Sequence, residues 1–308
     1  MSIRPVKRHL KSTPTMEGAG VRLRRGFGFG DTEAYDPFLL FDDFRGDRPD
    51  DYLAGFPWHP HRGIETITYV LAGNVQHGDS LGNKGSLGAG DVQWMTAGSG
   101  IIHQEMPHGD ERGRMHGFQL WANLPAALKM TNPRYQDIGA KEIPEVVDDD
   151  GTRVRVVCGH FWGVAGPVDG VAADPQYLDV WVPPGVRRSL PVETTRHAFA
   201  YVFDGSGRFA GGSEPRPVQT ERIGPSPVNV TTDVADNRSL VLFDTGDEVV
   251  VQARDAGIRF LLVSGTPLQE PVAWQGPIVM NTQDELRTAF REYQNGTFLK
   301  HARQSLPE

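Results

Sequence analysis

Short strand-like segments, each bounded by turn residues, recur along almost the whole chain, and they constrain its fold more than any other feature. They are rich in β-branched and aromatic residues, which suit a pleated surface. The 36 glycines and 23 prolines are spread along the 308 residues, as many turns require. The predicted strands are 38–44, 65–71, 91–96, 118–122, 177–182, 197–203, 240–243, 248–253 and 260–263. Such short, regularly interrupted strands predict an all-β fold of sandwiches or barrels.

A polar stretch at 133–151 separates two apolar regions and predicts two domains, residues 1–135 and 136–308. A weak internal repeat supports this division, because residues 68–73 resemble residues 200–205. Duplication of one β unit is the simplest explanation.

One helix is predicted close to the C-terminus. Thr282 and Glu285 form a capping box, apolar residues follow at helical spacing, and Asn295-Gly296 supplies a stop signal. The helix is short and starts with acidic residues, which disfavours a membrane surface. We therefore predict that its apolar face docks on the body of the protein.

Charge and composition exclude several classes of function. The net charge is −8 and no long basic run is present, which disfavours direct nucleic-acid binding through phosphates. No apolar stretch is long enough to span a membrane, and residues 1–7 lack the apolar core of a signal peptide. The single cysteine, Cys158, excludes an internal disulfide and lies in an apolar run, so we expect it to be buried. These features favour a cytoplasmic protein.

Six of the ten histidines fall within residues 59–116: His59, His61, His77, His103, His108 and His116. On an extended segment, side chains two residues apart point to the same face. His59 and His61 can therefore reach one ion, and His103 and Glu105 repeat the spacing after a glycine-rich turn. If the two segments lie side by side, three neutral nitrogens and one carboxylate converge. That set leaves open positions and suits iron(II) or another divalent first-row metal in oxygen chemistry, whereas a closed tetrahedral zinc site leaves none for substrate.

Spacing alone leaves the acidic ligand open. Glu65 shares the parity of His59 and His61, so it competes with Glu105. The remaining histidines of the cluster, at 77, 108 and 116, are expected to be surface or structural groups, or groups that support the ligands.

Neighbouring residues have plainer roles. Arg62 is expected to be structural, paired with the acidic loop at 42–51. The candidates for a pocket lining are Trp94, Met95, Phe41 and Phe56, although an ordinary core position is favoured for each.

Four segments resemble the signature segments of the pirin family. They read FPWHPHRGIET at 56–66, GDVQWMTAGSGIIHQEMP at 90–107, FQLWANLP at 118–125 and GPIVMNT at 276–282. The resemblance is most specific in residues 1–125, looser in the second half, and specific again near the C-terminus.

The resemblance implies two cupin β-sandwich (jelly-roll) domains face to face, with a short C-terminal helix and a metal in the first domain only. It implies that the metal ligands are His59, His61, His103 and Glu105. Glu65 then becomes a structural or supporting residue.

The second half fits a site lost after duplication. With the repeated Tyr-Val dipeptides aligned, Pro191 and Glu193 take the places of the first histidine pair, and the counterpart of His103 falls near Arg259 or Phe260. No metal is expected there.

Two functions follow from the resemblance. Several pirins oxidise the flavonol quercetin with molecular oxygen, and the eukaryotic protein is also described as an iron-dependent transcriptional co-regulator, while some bacterial members are partners of metabolic enzymes. The resemblance implies an iron-dependent dioxygenase in which Glu105 serves as ligand or base. The protein is expected to be a monomer. The alternative is a metal- or redox-dependent protein-binding regulator. Retention of all four ligand residues favours the enzyme over a metal-free structural cupin.

Overall fold

The computed structural model describes residues 2–210 and 233–301, and strands dominate these ranges. In chain order the strands are β1 (Val6–Lys11), β2 (Thr13–Glu17), β3 (Val21–Phe27), β4 (Phe38–Gly46), β5 (Phe56–His61), β6 (Ile64–Ala72), β7 (Asn74–Asp79), β8 (Lys84–Leu87), β9 (Val92–Thr96), β10 (Ile101–His108), β11 (Met115–Asn123), β12 (Arg134–Ile138), β13 (Glu145–Val147), β14 (Arg153–Cys158), β15 (His160–Phe161), β16 (Val164–Ala165), β17 (Gln176–Val182), β18 (Arg187–Pro191), β19 (His197–Phe209), β20 (Val234–Asp236), β21 (Ser239–Phe243), β22 (Glu248–Gly265), β23 (Ala273–Gln275) and β24 (Ile278–Met280). The helices are α1 (Thr32–Tyr35) and α2 (Gln283–Gln294). The predicted all-β class is confirmed.

The chain forms two compact units. The histidine unit comprises Pro14–Ala140 and Leu268–Glu308, and the second unit comprises Met1–Thr13 and Lys141–Pro267. The predicted domains, 1–135 and 136–308, are continuous segments. Each compact unit instead combines two separate segments, because residues 1–13 belong to the second unit and the segment from Leu268 belongs to the histidine unit. The physical reason is strand pairing and packing, because β1 pairs with β21 while α2 packs on β24.

Two larger sheets build the histidine unit. One has seven strands in the order β12-β9-β6-β11-β4-β3-β2, and the other has four in the order β5-β10-β7-β8. A short hairpin, β23–β24, belongs to the same unit. Buried apolar side chains such as Ile64, Met95 and Ile101 fill its core, where Val279 of the hairpin joins them.

The second unit has one large sheet in the order β1-β21-β19-β22-β17-β14-β13, with β18 added to β22 and β20 added to β19, and a short two-stranded sheet of β15 and β16. Its inward-facing residues form one apolar cluster that includes Val180, Leu262 and Phe260. Cys158, at the end of β14, is buried as predicted.

Helix α2 has the predicted cap. The Thr282 hydroxyl accepts a hydrogen bond from Glu285 N at 3.2 Å, and the Glu285 carboxylate accepts one from Thr282 N at 2.9 Å. Its buried residues, Leu286 and Ala289, pack against Met280 of β24, so the predicted docking face is confirmed. Neither helix in the described ranges has the length and apolar character needed to span a membrane.

Candidate metal centre

The two histidine-bearing segments are adjacent antiparallel strands. In the ladder between β5 and β10, His103 lies opposite His59, and Ile101 lies opposite His61. Because alternate residues of a strand share a face, all three imidazoles project to the same side of the four-stranded sheet. Their ligand nitrogens lie within 4.8 Å of one another. The structure therefore brings the predicted histidines together.

The hydrogen bonds of two rings fix their tautomers. His59 Nδ1 lies 2.8 Å from the carbonyl oxygen of Pro57, and His61 Nδ1 lies 3.1 Å from that of Pro277. A carbonyl oxygen only accepts, so each Nδ1 carries the proton and each Nε2 of the neutral ring is bare. Yet the two Nε2 atoms lie 3.0 Å apart. Two lone pairs this close repel each other, and a cation shared by the two nitrogens would remove that repulsion.

Burial keeps the rings neutral. It lowers the pKa of His59 and lowers the pKa values of His61 and His103 well below the ordinary value, and the charges of neighbouring histidines lower the latter two further. The side chains of His61 and His103 are 2% and 1% exposed. Neutral imidazole is the form that binds a metal ion.

The spacing fits an octahedral ion. Two nitrogens 3.0 Å apart subtend about 90° at an ion about 2.1 Å from each, the angle between neighbouring octahedral ligands. His103 Nε2 lies at the same distance, 3.0 Å, from His59 Nε2. Its Nδ1 has no hydrogen-bond partner within residues 2–210 and 233–301, so its tautomer is not fixed in the same way. The donor set thus fits a divalent first-row metal.

Glu105 lies on the same strand, two residues after His103. A register shift in the ladder places Glu105 opposite Phe56, and such irregularities re-aim side chains near functional sites. Burial raises the pKa of Glu105 to about 7, and the hydrogen bond that Thr68 Oγ1 donates to Oε1 at 3.0 Å opposes this shift. The carboxylate faces the same cavity as His59 and His61, although it is not part of the three-histidine cluster.

A cavity of about 720 Å³ opens beside the histidines, between the two sheets of the unit. Its lining combines apolar, aromatic and charged side chains, namely Glu17, Gly18, Ala19, Leu23, Arg25, Phe29, Leu40, Asp42, Phe44, Phe56, Pro57, His59, His61, Glu105, Gln119, Trp121, Trp274, Gln275, Gly276 and Pro277. This volume lies in the range of small-molecule sites.

One wall of the cavity is a series of aromatic rings. The His61 ring contacts Trp121 edge to face at 5.1 Å between centroids, Trp121 contacts Trp274 at 6.0 Å, and Trp274 contacts Phe29 at 5.6 Å. Phe29 is 78% exposed, so the series runs from solvent to the histidines. Aromatic faces arranged in this way favour a planar aromatic ligand.

The charged part of the wall is an ion-pair group. The guanidinium of Arg25 donates two hydrogen bonds to the Asp42 carboxylate, at 2.9 and 2.8 Å, and lies 2.9 Å from Glu17. One cation faces two anions here. This side of the cavity therefore favours a ligand that donates hydrogen bonds over one that carries a carboxylate.

The other candidate ligands lie elsewhere in the unit. Glu65 belongs to β6 and accepts a hydrogen bond from Thr96 at 2.7 Å. His77 lies 3.1 Å from the Gln93 amide nitrogen, His116 lies 3.5 Å from Asp43, and His108 ends β10. None of these residues joins the cluster formed within the described parts of the chain.

Of the four aromatic and methionine candidates for the lining, Phe56 lines the cavity, whereas Phe41, Trp94 and Met95 are core residues. Sequence reasoning missed Trp121 and Trp274 as lining residues. Trp121 lay within the segment 118–125 that resembled the family, and this was the available signal.

The expected pairing of Arg62 with the acidic loop at 42–51 is wrong. Its buried guanidinium pairs with Glu292 at 2.7 Å and donates to the carbonyl oxygens of Ser99 and Phe298. The acidic loop is paired by nearer arginines instead, since Arg25 already binds Asp42.

The residues of the second unit that correspond to the predicted ligands have other environments. Pro191 and Glu193 are exposed, Arg259 pairs with Asp179 at 2.6 Å, and Phe260 lies in the apolar core. These side chains provide no set of converging donor atoms.

Comparisons with known proteins agree with these features. The family profile described as Pirin matches residues 20–122, and the Pirin C-terminal cupin domain matches residues 177–299. A Pirin-like protein of Caulobacter vibrioides is 44% identical over 300 residues, which cover 97% of this chain and 100% of that protein. Pirin of Homo sapiens is 39% identical over 281 residues, which cover 91% of this chain and 88% of that protein.

The chain is also similar to a solved structure over nearly its whole length. The 1.88 Å crystal structure of quercetin 2,3-dioxygenase from Acinetobacter baumannii is similar to this chain with a TM-score of 0.82 and 28% identity, covering 96% of this chain and 98% of that one. The predicted pair of cupin domains is thereby confirmed.

Proposed function

Since the chain belongs to the pirin family, we propose that it is an iron(II)-dependent dioxygenase that cleaves the heterocyclic ring of a flavonol such as quercetin. The observation that carries this proposal is the convergence of three neutral imidazoles, two of which line an aromatic-walled cavity. The name of the similar Acinetobacter protein, quercetin 2,3-dioxygenase, supports the choice of reaction.

We assign His59, His61, His103 and Glu105 as the metal ligands. The histidines supply neutral nitrogens, and Glu105 supplies the carboxylate from the same strand as His103. When bound, a divalent first-row ion provides Lewis acidity toward a substrate oxygen and redox chemistry with dioxygen. Iron(II) suits three nitrogens with one carboxylate and open positions.

The aromatic wall orients the substrate. A planar flavonol enters past Phe29 and stacks along Trp274 and Trp121, with its 3-hydroxyl directed to the histidines. At the charged part of the wall, Asp42 and Glu17 accept hydrogen bonds from phenolic hydroxyls. Apolar residues between these groups exclude water from the reacting ring.

Glu105 is the proposed acceptor of the substrate's 3-hydroxyl proton. Thr68 donates to Oε1 and so fixes the carboxylate on the cavity wall. Deprotonation makes the flavonol more electron-rich before dioxygen attacks the ring, and a positioned carboxylate supplies the base.

The test is quercetin consumption together with oxygen uptake by protein reconstituted with iron(II) under anaerobic conditions and then exposed to oxygen. Wild-type protein should consume both in equimolar amounts, and His59→Ala and Glu105→Ala should lose turnover while remaining folded. His108→Ala is the matched control, because His108 lies on β10 but outside the cluster. Absence of turnover by wild-type protein with stoichiometric bound iron would refute the flavonol reaction.

A further inference from the structure

The tautomer of His61 depends on a distant part of the chain. Its Nδ1 donates to the carbonyl oxygen of Pro277, which lies between the two strands of the β23–β24 hairpin. If this carbonyl moved away, the proton could transfer to Nε2 and block the nitrogen that faces the other histidines. The contacts that hold the hairpin in place therefore also determine which nitrogen of His61, a proposed metal ligand, carries the proton.

A buried lysine joins the hairpin to the turn that follows β5. The Nζ atom of Lys129 donates to Gly63 O at 2.9 Å, to Asn123 Oδ1 at 2.6 Å and to Val279 O at 3.0 Å. Its three acceptors lie directly after β5, at the end of β11 and within β24. Lys129 is 2% exposed, and a lysine buried this deeply is rare because burial of its charge is costly.

The lysine acts where β24 lies directly against the turn that follows β5. The amide of Val279 donates to the carbonyl of Arg62 at 3.1 Å. Gly63 has a φ of +78°, and a Cβ at this position would lie 1.9 Å from Val279 O. Removing the ammonium would therefore leave carbonyl oxygens of Gly63 and Val279 buried and close together without their shared donor.

Arg62 does not duplicate this role. Its guanidinium binds Ser99 O, Phe298 O and the Glu292 carboxylate, so it joins the turn after β9 to α2 and Phe298 rather than holding the hairpin itself. Arg62 contacts β24 only through its backbone, whereas the side chain of Lys129 donates to it directly.

We propose that Lys129 is a positioning residue for the metal centre: it holds β24 against the end of β5, keeps the Pro277 carbonyl within reach of His61, and so keeps His61 Nε2 available for the metal. This inference rests on the metal site assigned under the proposed function. It adds a residue that contacts neither metal nor substrate but determines how well the site is formed.

The test measures metal affinity, with cobalt(II) alone as the probe, added anaerobically to the metal-free full chain. Lys129→Met keeps the length of the stem and removes the donors, and it should weaken cobalt(II) binding about 10- to 100-fold and change the ligand-field spectrum. The matched control is Arg4→Met, which removes a buried cation bonded to backbone carbonyls within the second unit. This control should leave both readouts unchanged.

A second readout follows the tautomer directly. Long-range ¹H–¹⁵N correlation spectra of the metal-free protein, with His61 assigned by comparison with His61→Gln, should show the proton on Nδ1 in wild-type protein and a mixture of tautomers in Lys129→Met. If Lys129→Met does not fold, Lys129→Gln, which keeps amide donors, replaces it with the same expected direction.

Unchanged affinity and an unchanged tautomer in a folded Lys129 variant would overturn the inference. Failure of both variants to fold would overturn it as well, since Lys129 would then determine folding rather than the site. If wild-type protein itself does not bind cobalt(II), the metal assignment and the proposed function fail together. Quercetin turnover is not a readout here, so loss of the flavonol reaction alone leaves this inference standing.

Discussion

Occupation of the three-histidine site by a divalent ion should stabilise the histidine unit, and His61→Asn should remove most of that effect. The unfolded chain does not hold the three nitrogens together, so the ion binds mainly the folded state. In the metal-free protein, the bare Nε2 atoms of His59 and His61 face each other at 3.0 Å, and the ion replaces this repulsion with two bonds.

The size of the effect follows from linkage. A free ion concentration about 100 times the dissociation constant stabilises the folded state by about 2.7 kcal/mol. Each kcal/mol raises the melting temperature by about 2–4 °C for a unit of this size, which gives about 5–11 °C. If His61→Asn weakens binding about 100-fold, the same concentration equals the new dissociation constant, and the gain falls to about 0.4 kcal/mol, or about 1–2 °C.

Differential scanning calorimetry of metal-free and cobalt(II)-loaded proteins measures this shift. His108→Asn provides the control, because His108 lies on β10 outside the cluster and should keep the full rise. Equal rises in wild-type protein and His61→Asn would show that the ion binds elsewhere and would refute the reasoning. So would the absence of any rise in wild-type protein at saturating cobalt(II).

Three further predictions test other parts of the chain. Trp274→Ala should raise KM for quercetin about 2- to 13-fold with little change in kcat, because an aromatic pair contributes about 0.5–1.5 kcal/mol. Steady-state kinetics measure the change, and Trp162→Ala, in the second unit, is the control. Burial lowers the pKa of Lys129 from 10.5 to about 7, so between pH 7 and 10.5 the unfolded chain binds the proton that the folded chain has lost. This group therefore makes the free energy of unfolding rise with pH in that range. Lys129→Met should flatten the rise, as measured by urea unfolding at several pH values between 7 and 10.5. Thr282→Ala should lower the free energy of unfolding by about 1 kcal/mol through loss of the α2 cap, whereas Thr288→Ala, within the helix, should cost less in the same urea assay.

The local sequence pattern predicts most of the central strands, but it does not show where two predicted segments form one continuous strand. Segments 248–253 and 260–263 were predicted as two strands, because the residues between them resemble a turn. The structure has one strand, β22, which pairs with β19 on both sides of a register shift opposite Gly205 and Gly207. The ladder with β19 stops at Ala253 and resumes at Ile258, so pairing on both sides of the shift depends on a partner distant in sequence.

Strand β5 was not predicted for a related reason. Its sequence FPWHPH contains two prolines, and proline lacks the N–H that a central strand needs. The structure places β5 at the edge of its sheet, where only one side is paired. The histidines were nevertheless recognised, because alternation of side chains depends on extended backbone and not on membership of a sheet.

The choice of a proposed acidic ligand shows where this alternation ceases to be informative. Glu65 and Glu105 have equivalent spacing in sequence, but they belong to different sheets, since Glu65 lies on β6 and Glu105 lies on β10 beside His103. Which sheet a strand joins is a long-range property. Only the family resemblance distinguished the two residues at the sequence level.

The groups that orient the proposed ligands are harder to recognise in the sequence than the ligand residues themselves. His61 is oriented by the carbonyl of Pro277, 216 residues away, and every residue of the chain carries such a carbonyl. A backbone acceptor therefore has no signature in the sequence, whereas a histidine does. The same holds for Lys129, whose partners Gly63 and Val279 are recognised by position alone. A sequence of this kind can thus reveal which side chains a metal would use, while the fold determines whether those side chains present the correct nitrogen.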